Sequence, residues 1–591
     1  MLSSFISLAR LVATVLLMPA VGLAPRAHAQ RPPLPPKEVR AVWVTTAAGL
    51  DWPKTVDRQE QQASLRNIVA NLKAMHFNTI LFQVRARGDA YYQSSYEPWA
   101  ENLTGTLGKD PGWDPLAFLL GEAHRVGLEV HAWFNVYKIR GPSAVAQSVP
   151  LHPARRFAAW VHDADGEGWV DPGVPEVRNY LLSVALELIR RYNVDGINFD
   201  FIRYPGKNFP DNDTYRRHGN GQNRDDWRRS NIDSFVAEFY DNAIRIKPML
   251  KIGSAPLGVF SDGSSANSWG AFYSYYQDSQ GWLRKGKHDY LSPQLYWDLG
   301  VTKDNPGFAK LLRSWERNSS GREIWAGIGA YKPEVMRELP RQIDSSRAVG
   351  ADGQAYFRYE HVSTSRNLGG RYATLANIPP MSWKDSIPPL APTELAVAEV
   401  SPKVFHLEWI APLPARDGDR ARYYNIDRST SEQIRPNDPS FLVAITNSDS
   451  TFFVDTVREA GSFRYYYAVS ALDKGNNESS ISNVATITMR ELTELRGKLS
   501  EFTSLSTSVA GGNEGATLVA YTVVSRSSVF LQVAKQSSDS LRGDAIVLAN
   551  GVQNPGTYVV GVEKRRLQPG SYSVRLRAGD VTIEQALEIQ K

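Results

Sequence analysis

Residues 195–205 read Asp195-Gly196-Ile197-Asn198-Phe199-Asp200-Phe201-Ile202-Arg203-Tyr204-Pro205. Asp-Gly opens the stretch and Pro205 closes it, the punctuation expected around a short strand. Period-two alternation puts Asn198 and Asp200 on one face and Phe199 and Phe201 on the other. Val177, Leu181, Val184, Leu188 and Ile189 precede the run, and Ile232, Phe235, Val236 and Phe239 follow it. Both sets recur at three and four residues, so each marks an amphipathic helix. A strand flanked by two helices is one βα unit, and the phenylalanine face is the side that packs on helices. Asp200 is then expected at the C-terminal end of a strand, facing inward. Asp195, at the strand start, is read as the anchor of the entering turn.

The same unit repeats on both sides. Further strand-like runs lie at 40–45 (RAVWVT), 79–84 (TILFQV), 128–134 (LEVHAWF), 251–255, 290–297 (YLSPQLYW), 324–330 and 353–359. An earlier helix carries Leu65, Ile68, Val69 and Leu72. Eight strands alternating with helices over about 350 residues predict a (β/α)8 TIM barrel, with an open doubly wound sheet as the alternative.

The 591 residues therefore divide into several domains. Residues 1–29 contain no acid, hold an apolar run at 11–24, and end in Ala27-His28-Ala29. That run is shorter than the roughly 20 residues a bilayer span needs, and the pattern is that of a cleaved signal peptide. Export to the periplasm, cell surface or medium is expected, with no membrane span in the mature chain. Residues 30–37 are a Pro-rich leader, and 38–385 are the barrel. After the hinge Ile387-Pro388-Pro389-Leu390-Ala391-Pro392, residues 386–490 alternate as short strands with one tryptophan, Trp409. They resemble a fibronectin type III domain. Residues 491–591 read as a second all-β sandwich of no assigned family, so the fold class is multidomain: a TIM barrel followed by two sandwiches.

Composition excludes several chemistries. There is no Cys, hence no disulfide scaffold, cysteine nucleophile or lipid-anchored cysteine. The balance of 67 basic against 62 acidic residues gives a net charge of +5, too small an excess to argue for nucleic acid. No Walker loop, G-x-S-x-G elbow, H-E-x-x-H pair or full dinucleotide fingerprint occurs, and Gly327-Ile328-Gly329 is read as strand-end packing. No histidine spacing calls for a metal, and no cofactor is expected. Fourteen of the 15 tryptophans lie between Trp43 and Trp383. Aromatic faces at a barrel mouth, with Trp52, Trp99, Trp113 and Trp297 near strand ends, suit sugar rings, although a large barrel also buries Trp in its core.

Polar residues at strand ends are the candidates for chemistry, because barrel enzymes build their sites there. Besides Asp200, these are Asp298 after the sixth strand, Arg85, Asp89 and Tyr91 after the second, His131 and Asn135 on the third, and Glu360 with His361 after the eighth. The long polar loop 206–226 is read either as a wall or lid of the site or as a disordered insertion.

RAVWVTT, QVRARGDAYY, HAWFNVYK, DGINFDFIRYP, SAPLG, YLSPQLYW and GIGAYK occur in the order seen in the glycosyl hydrolase-like 10 family, which the stretch from Glu38 to Trp383 resembles. The resemblance implies an exported bacterial barrel enzyme that cleaves peptidoglycan strands stripped of their stem peptides. It points to Asp200 as a catalytic carboxylate. By the layout of related barrel glycosidases, Asp298 is its expected partner, with Asp89 and Glu360 as alternatives. Carboxyls about 5–5.5 Å apart would mean retention and about 6.5–9.5 Å inversion. Arg85, Asp89, Tyr91, Asn135, Asn198, Arg203, Tyr204, Gln294, Tyr296, Trp297 and Glu360 are the expected substrate-binding residues. The partner expected is a glycan, with a cell-envelope partner open to the C-terminal sandwiches. A non-catalytic glycan-binding or adhesion protein, and a hydrolase of another polysaccharide, are the alternative readings.

Overall fold

The computed structural model describes residues 34–591 except 264–268, 365–367, 369, 402, 448–449, 459–462, 490–503, 510–515, 524–526, 536–544, 555, 564–566, 580 and 590–591. The expected signal peptide and residues 30–33 of the Pro-rich leader lie outside the described residues. Among the described residues, no helix is long and apolar enough to cross a membrane.

Eight parallel strands close into a barrel in chain order: Val39–Val44, Thr79–Arg85, Glu129–Asn135, Gly196–Asp200, Lys251–Ser254, Tyr290–Leu291, Glu323–Ile328 and Gly353–Tyr356. The eighth pairs with the first, Val39 opposite Gly353 and Val42 opposite Tyr356, so no edge remains. The TIM barrel is therefore present and the open sheet is not. The helices follow from the apolar spacing. Arg58–Ala74 is started by the Asp57 carboxylate, which accepts a hydrogen bond from the Glu60 N–H at 2.9 Å, and it buries Leu65, Ile68, Val69 and Leu72. Pro175–Arg191 has Pro at its first position, where the missing N–H costs nothing, and buries all five apolar residues of its stripe. Each such leucine or isoleucine contributes about 1.5–3 kcal/mol when taken out of water.

Two sheet pairs follow. The first sets Thr393–Ser401, Val404–Ile410 and Phe452–Thr456 in one sheet and Leu442–Asn447, Tyr423–Ser429, Phe463–Leu472 and Ala485–Met489 in another. Trp409, Phe405, Ile426, Tyr465 and Val469 fill the space between them. The second repeats a three-plus-four arrangement over Ser504–Val509 to Val581–Ile589, around Val529, Leu531, Val574 and Leu576. Both are antiparallel and sandwich-like.

Loop 206–226 is neither a bare lid nor a disordered insertion. It contains the helix Asn212–His218 and the start of Arg224–Ile246. Buried Asp211 holds it down by taking two hydrogen bonds from Arg228, each 2.7 Å long.

Candidate active site

The inward faces of the strands put Gln83, Trp133, Asn135, Asp200 and Gln294 around one end of the barrel. With Lys138, Arg203, Tyr296 and Phe357 they enclose a cavity of about 280 Å³ at the C-terminal strand ends. Asp200 is the one carboxylate in its lining among the described residues. A larger depression of about 780 Å³ lies between barrel helix ends and the first sandwich, but no acid lines it. Two others, of about 430 and 440 Å³, hold Asp195 with Asp385, Asp417 and Asp419, and Glu360 with His361, but neither draws on the inward strand faces that build the Asp200 cavity. Acid–base chemistry is therefore assigned to the Asp200 cavity.

Asp200 ends the fourth strand, half-buried. Its Oδ1 accepts the Phe201 N–H at 2.7 Å and lies 3.4 Å from Gln294 Nε2. Loss of water around the carboxyl dominates its electrostatics and pushes its pKa up to about 6. The Phe201 N–H, the Arg203 and Lys138 charges and the nearby Trp133 indole oppose that rise without cancelling it. The indole N–H stops short of ordinary hydrogen-bond geometry. An aspartic acid that keeps its proton into the mildly acidic range is suited to donate it to a leaving oxygen.

The surrounding side chains are held in place. Gln294 Nε2 also donates to the Ala255 carbonyl at 3.1 Å, and Asn135 Nδ2 donates to the Ala86 carbonyl at 2.8 Å. Gln83 Oε1 accepts the N–H groups of Thr46 and Ala47 at 3.0 and 2.9 Å. Arg203 lies over the rings of Trp169, Phe201 and Tyr275. Lys138 lies over Phe201 and pairs with Glu167 at 2.5 Å. Tyr296 packs on Phe357 with ring centres 5.8 Å apart. Gly327 and Gly329 make room for this: a Cβ on Gly327 would meet the Pro293 carbonyl at 2.3 Å, and one on Gly329 would meet Tyr296 at 2.9 Å.

Of the residues expected from sequence, the cavity brings together Asp200, Asn135, Arg203, Gln294 and Tyr296. The others lie elsewhere. Asp298 sits past the strand end, where its Oδ1 accepts from the Gly300 N–H and from Asn305 Nδ2. It organises its own loop and does not line the cavity. Arg85 is wholly buried in a two-bond pair with Glu97, at 2.7 Å each. Asp89 caps the turn by accepting the Arg87 N–H at 2.8 Å. The Tyr91 hydroxyl is buried against Asn102 and the Thr46 carbonyl. Asn198 is fully buried in the barrel interior, between Trp43 Nε1 and the Tyr290 hydroxyl. Tyr204 is buried against Phe209 and Tyr276. The Trp297 carbonyl accepts from Gln342, and its ring is outside the lining. Glu360 is exposed and pairs with Arg358 at 2.7 Å and Lys54 at 3.8 Å. Asp195 behaves as the turn anchor, accepting the Val130 N–H at 2.7 Å and His124 Nε2 at 2.8 Å.

Phe201 departs from the alternation. Its φ is +50°, so the chain leaves the strand at Asp200 and the ring joins the cavity instead of the helices. Phe199 does pack on Phe235 and Phe239. Most of the tryptophans are core residues: Trp43, Trp52, Trp282, Trp315 and Trp325 are at most 2% exposed. Only Trp133 lines the cavity among the described residues. It shares the inward face with His131 and Asn135, a period-two signal legible in the sequence. Lys138, three residues beyond Asn135 at the start of the short strand Lys138–Arg140, carries no such signal.

One group of three carboxylates, Asp385, Asp417 and Asp419, brings ligand oxygens within 4.8 Å of one another. It belongs to the join with the first sandwich and not to the Asp200 cavity.

A family model described as Glycosyl hydrolase-like 10 matches residues 38–339. Glycosyl hydrolase YngK of Bacillus subtilis (strain 168) is 30% identical over 491 residues, covering 76% of this chain and 93% of the relative. Glycosyl hydrolase DigH of Escherichia coli (strain K12) is 31% identical over 389 residues, covering 58% and 88%. Among solved structures, the PgaB (BpsB) glycoside hydrolase domain from Bordetella bronchiseptica is 14% identical, with a TM-score of 0.43 over 58% of this chain and 99% of that one.

Proposed function

The chain belongs to the glycosyl hydrolase-like 10 family and is a glycoside hydrolase, and we propose that its substrate is bacterial cell-wall glycan, namely peptidoglycan strands lacking stem peptides. Asp200 is the group that protonates the leaving oxygen. The observation that supports this reading is a single dehydrated carboxyl, held at about 6, in an open cavity at the C-terminal strand ends. Trp133, Tyr296 and Phe357 offer apolar faces to sugar C–H groups, and Asn135, Gln294 and Arg203 offer polar contacts to hydroxyls. Residues 1–29 supply an export signal, which puts the enzyme in the compartment of that substrate.

The test is digestion of purified peptidoglycan, intact and amidase-treated, followed by mass spectrometry of the soluble products. Release of sugars from the amidase-treated material alone is the expected result. Equal release from both would remove the preference for stripped strands. Release from neither, with activity on another polysaccharide, would replace the substrate.

A further inference from the structure

Two-step or one-step glycoside hydrolysis by carboxylates needs a second carboxyl facing the acid across the sugar. Residues 264–268 and 365–367 of the barrel contain no Asp or Glu, so every barrel acid is among the described residues. Asp165 and Glu167 are the acids besides Asp200 whose charges reach Arg203, and neither lines the cavity; Asp165 is exposed. Glu167 is paired with Lys138 at 2.5 Å and with Arg87 at 3.8 Å. Asp298, Asp89 and Glu360 are engaged as described above, none of them in the cavity lining. All the charges that act most on Asp200 are cationic, from Arg203 and Lys138.

What does face Asp200 is an apolar wall beside amide groups. Trp133 and Tyr296 flank Phe357, with ring centres 6.2 and 5.8 Å from it. Asn135 is 4% exposed and lines the same cavity, and its Oδ1 has no hydrogen-bond partner. An aromatic wall next to a buried, unpaired amide oxygen matches an acetamido group, which has a methyl and an N–H to place.

We infer that the nucleophile is supplied by the substrate: the 2-acetamido oxygen of the sugar bound beside Asp200 attacks its own anomeric carbon. This rests on the cell-wall reading above, since peptidoglycan sugars carry that group. In the first step the acetamido oxygen forms a bond to C1 while the C1–O bond to the leaving sugar breaks. The proton of Asp200 passes to the leaving oxygen, and the positive charge resides on the resulting oxazolinium ring. In the second step a water oxygen bonds to C1, the C1–acetamido bond breaks, and the water proton returns to Asp200. C1 is inverted twice, so its configuration is retained. Asn135 is a positioning residue that receives the acetamido N–H.

The experiment uses the full chain and amidase-treated peptidoglycan strands, native and chemically de-N-acetylated. The anomer released first is read by proton NMR in deuterated water. Retention is expected, together with a rate on de-N-acetylated strands lower by about 10³-fold or more, the advantage an intramolecular nucleophile holds over water. A stable thiazoline analogue of the cyclic intermediate is expected to bind at least about 100-fold more tightly than the parent amino sugar. Inversion, or equal rates on the two strands, overturns the acetamido nucleophile and leaves the glycan assignment standing. Azide rescue of Glu167→Gln would also overturn it, because that marks Glu167 as the attacking group. No hydrolysis of native strands, with another glycan cleaved, overturns the cell-wall reading and this inference with it.

Discussion

An aspartate held at about 6 is only about one-tenth protonated at pH 7, so Asp200 serves as an acid best in mildly acidic solution. kcat/KM on a soluble glycan is therefore expected to fall as pH rises through about 6, in a profile whose alkaline limb disappears in no variant that keeps Asp200. Asp200→Asn removes the proton donor and is expected to lower kcat by about 10²–10⁴-fold, the range for a lost general acid. A fully active Asp200→Asn protein would end the assignment. The same burial has a stability consequence. Because the folded pKa lies above the unfolded one, the unfolded chain loses its proton first, and stability falls as pH rises from about 4 to about 6. At neutral pH the ionised carboxyl thus destabilises the fold. Asp200→Asn is expected to be more stable by about 1–2 kcal/mol after allowing for its partial exposure, seen as a raised Tm. Alternation alone placed Asp200 in the sequence reading. It misplaced Phe201 because a positive φ reverses the chain one residue later, and such a turn at a non-glycine has no sequence signature.

Strands and helices were legible where their periodicity is long, and least legible where a strand ends. The sixth strand shows why. Read as 290–297, it pairs as a ladder only over Tyr290–Leu291, because Pro293 has no N–H to give. Gln294 still bridges Leu257 and Gly327 and so faces the cavity. Beyond it the chain turns away and carries Asp298 into a loop closed by Asn305. Arg85 illustrates the converse error. A cation at a strand end reads as a ligand for substrate, yet Glu97, twelve residues on, folds back and takes it out of solvent. Both side chains are 0% exposed. Arg85→Met is expected to cost about 3–5 kcal/mol, because it leaves Glu97 buried and unpaired. Changing Glu97→Met as well is expected to restore most of that loss, measured as denaturant midpoints. A single Arg85→Met variant with wild-type stability and a raised KM would return Arg85 to the substrate site.

The first sandwich closes the end of the barrel opposite the cavity. Glu129, Asp195 and Lys251 stand at the starts of the third, fourth and fifth strands, at the end where barrel residues serve stability and not catalysis. Lys251 gives Glu129 a 2.8 Å ion pair, and Asn476 of the sandwich reaches the same carboxylate at 3.3 Å. Arg422, also from the sandwich, pairs with Asp195 and lies 3.8 Å from Glu129. Together the cations lower both carboxyls despite their burial, Glu129 well below the usual range. Nothing local announces this. Arg422 lies in an ordinary polar loop, and its partner is 227 residues away, so the join is visible only in three dimensions. It predicts that the barrel and first sandwich unfold together. Arg422→Ala leaves Asp195 with only the Val130 N–H and His124 and strands charge in a nearly dry interface, at a cost of about 3–5 kcal/mol. Calorimetry of the wild-type chain should show one shared transition for these two parts, and the variant should split it. Since the cavity is at the other end of the barrel, kcat at temperatures below the first transition should stay at the wild-type value. An unsplit transition at the wild-type Tm would mean that the apolar contacts of the join, among them Ile445 against Gly127 and Met249 against Gly475, hold the two parts together without the ion pair.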